Sequence, residues 1–185
     1  MAGHHLVLGT LTDYLSGELL EDTHDERYRQ KISRLLVEEK EYHKSDIISR
    51  YRLVLQAGSR KAAISLDFLI ALLNRKCMLI KYAPGSLVTR RRPTIAISRL
   101  VSRFQIPIVV VTNGMDAEIV NGSTGDVIGN GLNTIPSRDH LLKIRKTHQW
   151  NKISRDRAEM ESRIAFAYEV DDRCPCDDSI CRISE

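Results

Sequence analysis

An α/β fold with a mixed sheet and helices on both of its faces is predicted by three features of this sequence. Three apolar, strand-length runs follow one another over residues 50–83 with only short turns between them. A segment of helical length separates the third run from a fourth, "IPIVVVTNG" (106–114), which permits a parallel crossover connection. A further helical segment precedes all of them. The order is therefore α-β-β-β-α-β, followed by a C-terminal helical extension.

Residues 1–22 read as an N-terminal arm. "DERYRQKISRLLVEEKEY" (25–42) reads as the opening helix, because Tyr28, Ile32, Leu35 and Leu36 fall on one face at helical spacing. Thr23 is its N-cap, and Glu26 three residues later completes a capping box. "RYRLVLQAGSRKAAISLDFLIALL" (50–73) is two strands around a Gly58-Ser59 turn, and a turn at Asn74-Arg75 leads to a third, "CMLIKYA". Pro84-Gly85 ends the meander. In "TRRRPTIAISRLVSRF" (89–104) Pro93 suits a first helical turn, with Leu100, Val101 and Phe104 as the buried stripe. "IPIVVVTNG" is continuously apolar, as a strand covered on both faces must be. "AEIVNGSTGDVIG" (117–129) reads as a closing hairpin. Ser137 caps a helix in "SRDHLLKIRKTH" (137–148), and a last helix spans about 155–170. The divisions are an arm (1–22), a core domain (23–147), a C-terminal helix (148–170) and a cysteine-bearing tail (171–185).

At 185 residues the chain is long enough for one well-buried domain with an appendage. Net charge is +4, compatible with a polyanionic partner. No apolar run is long enough to span a bilayer, and "LVLGTL" is too soon followed by acids to be a signal peptide, so a cytoplasmic protein without a membrane partner is expected. Cys77 lies in apolar sequence and reads as buried and inert. There is no Gly-rich phosphate loop, G-x-S-x-G elbow or H-E-x-x-H spacing, which argues against ATP use, serine hydrolysis and zinc hydrolysis.

Four stretches carry more information together than singly. They are "ERYRQ" (26–30), "SLDFLI" (65–70), "LIKYAPG" (79–85) and "IPIVVVTNG" (106–114). In this order they resemble the N-terminal domain of type I restriction enzyme R subunits, within the PD-(D/E)xK nuclease superfamily. The resemblance covers about residues 23 to 145. It implies a restriction-endonuclease-like fold and, where the site is intact, a Mg²⁺-dependent phosphodiesterase acting on DNA. Asp67 corresponds to the metal-binding aspartate. The next strand of the family reads acid, any residue, lysine. Matching the lysine places Leu79 at the acid position and Lys81 at the lysine; matching the Ala-Pro turn places Ile80 and Tyr82 there. Neither alignment restores the acid. No helicase motor accompanies the domain in this chain.

The missing acid matters because Mg²⁺ is held by carboxylate oxygens, and alternation along a strand puts residues i and i+2 on one face. Asp67 is then the single carboxylate on those two strands, with Glu26 of the opening helix as the candidate second metal ligand and migrated acid. The leading expectation is a catalytically degenerate stand-alone relative that binds DNA or serves as a partner module. An active Mg²⁺-dependent endonuclease using Asp67, Lys81 and Glu26 is the alternative, and a protein-binding homodimer joined through its last helix is the second. Each candidate has a bland reading: Asp67 paired with an arginine, Lys81 as a solvated or phosphate-contacting charge, Glu26 as a cap. Arg90, Arg91 and Arg92 are candidate phosphate contacts, or a solvated turn. Cys174, Cys176 and Cys181 ("CPCDDSIC") could hold Zn²⁺ with a fourth ligand, although their spacing differs from paired C-x₂-C sites, or form a metal-free tail.

Overall fold

The computed structural model describes residues 6–171 and 180–183. Helix α1 (His24–Arg34) starts where its cap places it: Thr23 Oγ1 accepts a hydrogen bond from the Glu26 N–H at 3.1 Å. Asp25 and Glu26 in its first turn, and Lys31 and Arg34 in its last, complement the helix dipole. It runs on into a π-helical turn, Leu35–Glu39, and buries Ile32, Leu35 and Leu36.

The predicted meander is present as β3 (Ile47–Ala57), β4 (Arg60–Leu72) and β5 (Arg75–Tyr82). Helix α2 (Leu87–Ser98) crosses over to β6 (Ile108–Thr112), which pairs parallel with β5. Strands β7 (Ala117–Asn121) and β8 (Val127–Asn130) close the sheet as an antiparallel pair, giving the order β3-β4-β5-β6-β7-β8. A last strand, β9 (Ile180–Ile183), joins β4 beyond the point where β5 leaves it. Helices α3 (Arg138–Thr147) and α4 (Arg155–Phe166) are capped by Ser137 and Ser154.

Two apolar layers cover the sheet. On one side Ile32, Leu35 and Leu36 of α1 and Leu141 of α3 pack with Phe68, Ile70, Met78 and Ile80. On the other, Ala96 and Ile97 of α2 and Ala165 and Phe166 of α4 pack with Leu53, Leu66, Leu69 and Leu79.

One local expectation gains detail and one is corrected. The N-terminal arm is a small hairpin, β1 (Thr10–Thr12) with β2 (Leu19–Glu21), tied to α1 by the hydrogen bond from the Tyr14 N–H to Gln30 Oε1 at 2.7 Å. Helix α2 begins before Pro93 and holds it in its interior, where the ring removes one backbone donor. Because the helix ends at Ser98, the expected stripe loses its phase: Val101 is buried, but Phe104 is 38% exposed.

Candidate functional site

The resembling motifs meet where β4 and β5 part. Their pairing runs from Leu72↔Arg75 to Phe68↔Ile80. Strand β9 takes up β4 again at Ile64↔Ile180, so among the described residues Ser65, Leu66 and Asp67 lie in the gap between the two partners. The β3–β4 pair also changes its facing here. On β3, Ile47 belongs to the layer under α1, whereas Leu53 and Leu55 belong to the α4 side. On β4, Ile64 and Leu66 face α4, whereas Phe68 and Ile70 face α1. All of these residues share one parity on their strand, so each strand is rotated between Ser49 and Tyr51 and between Leu66 and Phe68. Arg50 stands at the turn-over with φ of 51°, a left-handed conformation that is costly for a residue with a Cβ.

Asp67 is buried, and both its oxygens are engaged. Oδ1 accepts from Arg29 Nε at 2.7 Å and Oδ2 accepts from the Tyr82 N–H at 2.9 Å. Arg29 comes from α1, and its Nη1 also lies 3.6 Å from Glu26 Oε2. Burial opposes the Arg29 charge, but the Asp67 carboxylate outweighs it and holds the guanidinium above its ordinary pKa. Tyr82 stacks on Tyr28 and lies under the Arg29 guanidinium.

Glu26 is buried as well. Its carboxylate turns to the sheet rather than back to the Thr23 cap: Oε1 accepts from Arg50 Nη2 at 2.7 Å and Gln30 Nε2 at 2.8 Å. Gln30 Nε2 also donates to Asp13 Oδ1 of the hairpin at 2.6 Å. Asp67 and Glu26 are thus brought to one guanidinium, inside a network of carboxylates and arginines.

Lys81 looks the other way. It is 5% exposed, and its Nζ lies 3.1 Å from Glu169 Oε2, itself on a 3% exposed residue. Glu169 belongs to the π-helical turn Ala167–Asp171 that extends α4. Leu79, two residues before Lys81 and on the same side of β5, is completely buried against the α2–α4 layer.

These residues do not fit a divalent ion as they stand. A hard cation needs several carboxylate or carbonyl oxygens turned to one point. Here the oxygens of Asp67 are held by Arg29 and a backbone N–H, and those of Glu26 face Arg50, Gln30 and Arg29. Among the described residues no three His, Cys, Asp or Glu side chains gather in a metal-holding group.

The arginine run lies on α2, and two of its three members are internally paired. Arg91 donates to both oxygens of Glu118 at 2.7 Å, which holds its pKa above the ordinary value. Arg92 Nη1 lies 2.6 Å from Glu161 Oε2. Arg99 Nη1 and Arg157 Nε donate to Glu161 Oε1 at 2.5 and 2.7 Å. Glu161 is wholly buried. Burial pushes its pKa up, and the arginines overcome that and hold it below its ordinary value. Arg90 is half-buried and has no ion pair among the described residues. Cys174 and Cys176 lie outside the described residues, and Cys181 is described by its backbone alone, opposite Ala63.

Sequence reasoning missed Arg29, Arg50, Glu161 and Glu169. Arg29 and Gln30 stood within the "ERYRQ" cue, so a signal for them was present. Nothing distinguishes Glu169 among the charges of the last helix until the helix is docked.

A mixed sheet in this order, an opening helix that buries a glutamate, and an aspartate and a lysine where two antiparallel strands diverge define a restriction-endonuclease-like fold. The family described as type I restriction enzyme R protein N terminus (HSDR_N) matches residues 24–136, more than half of the chain, and the chain belongs to that family. The match ends before α3, so α4 and Glu169 lie beyond it. No curated protein and no solved structure matches the chain.

Proposed function

We propose that this chain is a non-cleaving member of its family that binds DNA through a nuclease-derived surface. One observation carries the reading: either residue that can stand at the strand-acid position, Leu79 or Ile80, is apolar and fully buried in the core, while Lys81 is turned to a carboxylate of the C-terminal extension. A water-activating metal needs acid and lysine addressing one point, and here an apolar side chain faces helices instead. The net charge of +4 supports a polyanionic partner.

Calorimetric titration of Mg²⁺ and Mn²⁺ into the protein, with Asp67→Ala as control, tests the loss of catalysis. The expected result is no heat in either protein and no nicking of supercoiled plasmid. Binding heat that vanishes in Asp67→Ala, together with nicking, would overturn it. A second reading, an active Mg²⁺-dependent endonuclease with Glu26 as migrated acid, is favoured by one observation: Glu26 and Asp67 approach the same guanidinium. Displacing Arg29 would leave two carboxylates near each other, and Arg29→Met would then gain Mn²⁺ binding.

A further inference from the structure

We infer that the C-terminal helix is an autoinhibitory cap over the Lys81 side of the sheet, with Glu169 supplying to Lys81 the carboxylate that its own strand lacks. This rests on the reading of the chain as a DNA binder. Three observations converge on it. The Lys81–Glu169 pair is 3.1 Å long and buried on both sides. A lysine in that setting is expensive to leave unpaired, so some carboxylate must answer it. The residue that replaces the acid, Leu79, gives the helix an apolar seat in the layer that also holds Ala165, Phe166 and Val170. The same helix carries Glu161, which holds Arg92 of α2 and Arg99 at the C-cap of α2. Loss of the acid, docking of the helix and capture of the arginines therefore form one device.

The consequence concerns phosphate binding. While α4 is docked, Lys81 and Arg99 are sequestered on internal carboxylates, and Arg92, though half-exposed, has its charge answered by Glu161. Undocking frees all three from these partners. A DNA duplex that binds the open form shifts the population by its differential affinity, and by linkage the strength of docking sets the apparent affinity.

The test uses the full chain, a fluorescein-labelled 20-base-pair duplex as a probe of roughly the length a small domain can cover, and hydrogen exchange of residues 155–171. Glu169→Gln is expected to speed exchange across α4 while β4 and β5 stay protected. It is also expected to tighten DNA binding at least about tenfold at low salt and to steepen the log affinity against log salt slope by about 0.9 for each released cation that meets a phosphate, up to about 2.7 for all three. Val170→Ala trims a buried apolar contact of the same segment and leaves every charge in place. It is expected to move both readouts the same way, and it carries the test if Glu169→Gln fails to fold. Faster exchange without tighter binding overturns the cap, and so does unchanged exchange in both variants. Wild-type binding with no gain in the variants removes the cap alone. Absence of salt-sensitive binding in all three proteins removes the cap and the DNA-binding reading together.

Discussion

Asp13 shows how much a single side chain does at the edge of the site. Burial alone would raise its pKa, but hydrogen bonds from Gln30 and Ser16 and the charge of Arg50 overcome that and hold it below the ordinary value for an aspartate. A carboxyl whose folded pKa is depressed contributes stability that is complete above its unfolded pKa. That contribution is lost as pH falls through the folded value. Glu161 is depressed in the same sense. Melting temperature is therefore expected to be flat near neutrality and to fall with acidification below about pH 4–5, and Asp13→Asn should start lower and lose less on acidification. Arg29→Met should be more damaging, because it strands Asp67 inside the protein. Since Arg29 keeps some solvent contact, the loss is set at about 2–4 kcal/mol in urea denaturation. Asp67→Asn combined with Arg29→Met should recover part of that loss, since no bare charge remains buried. The aspartate itself was legible in "SLDFLI", because a lone acid in an apolar strand stands out. Its partner was not, because "ERYRQ" does not reveal which helix face meets the sheet.

At the scale of elements, the sequence was most readable where a local rule had no competitor. The turns between β3 and β4 and between β7 and β8, the caps Thr23 and Ser137, and the wholly buried β6 follow from turn chemistry, capping and period. It was least readable where tertiary contacts override the local signal. Pro93 reads as a helix start but lies inside α2, and the change of facing at Arg50 and Asp67 leaves no trace in a pattern that assumes uninterrupted alternation. Strand β9 is too short to be seen without the open edge of β4. The Asn113-Gly114 turn between β6 and β7 supplies an element-scale prediction. Gly114 has φ of 84°, and a Cβ there would sit 2.4 Å from Tyr28 Cδ1. Tyr28 is the residue of α1 that stacks on Tyr82. Gly114→Ala therefore has to strain the turn or push α1 away from the cleft. A loss of about 2–4 kcal/mol is expected. Near-ultraviolet circular dichroism of the tyrosines should change with it, whereas Gly58→Ala, at a positive-φ turn with open space around it, should cost less and leave that signal alone.

For the molecule as a whole, net charge says little until the paired cations are set aside. Within the formal +4, Arg91, Arg92 and Lys81 cancel against Glu118, Glu161 and Glu169, which answer them inside the fold, so the net charge does not say which cations are free to meet DNA. Affinity for duplex DNA scales with the phosphates actually neutralised, at a slope of about 0.9 per contact in log affinity against log salt. If the run 89–92 met DNA as a solvated stripe, each of its arginines would contribute alike. The ion pairs predict otherwise. Arg90→Ala should weaken binding and reduce the slope by about one contact. Arg91→Ala should leave the slope in place and lower thermal stability instead, because Glu118 on β7 loses its bidentate partner. Fluorescence anisotropy over 50–200 mM salt, beside a thermal melt of each variant, separates the two effects. Equal slope losses from Arg90→Ala and Arg91→Ala would mean that the Glu118 pair opens to DNA. No slope loss from Arg90→Ala would remove Arg90 from the interface and leave the cations released by the C-terminal helix, Lys81, Arg92 and Arg99, as the DNA-facing charge.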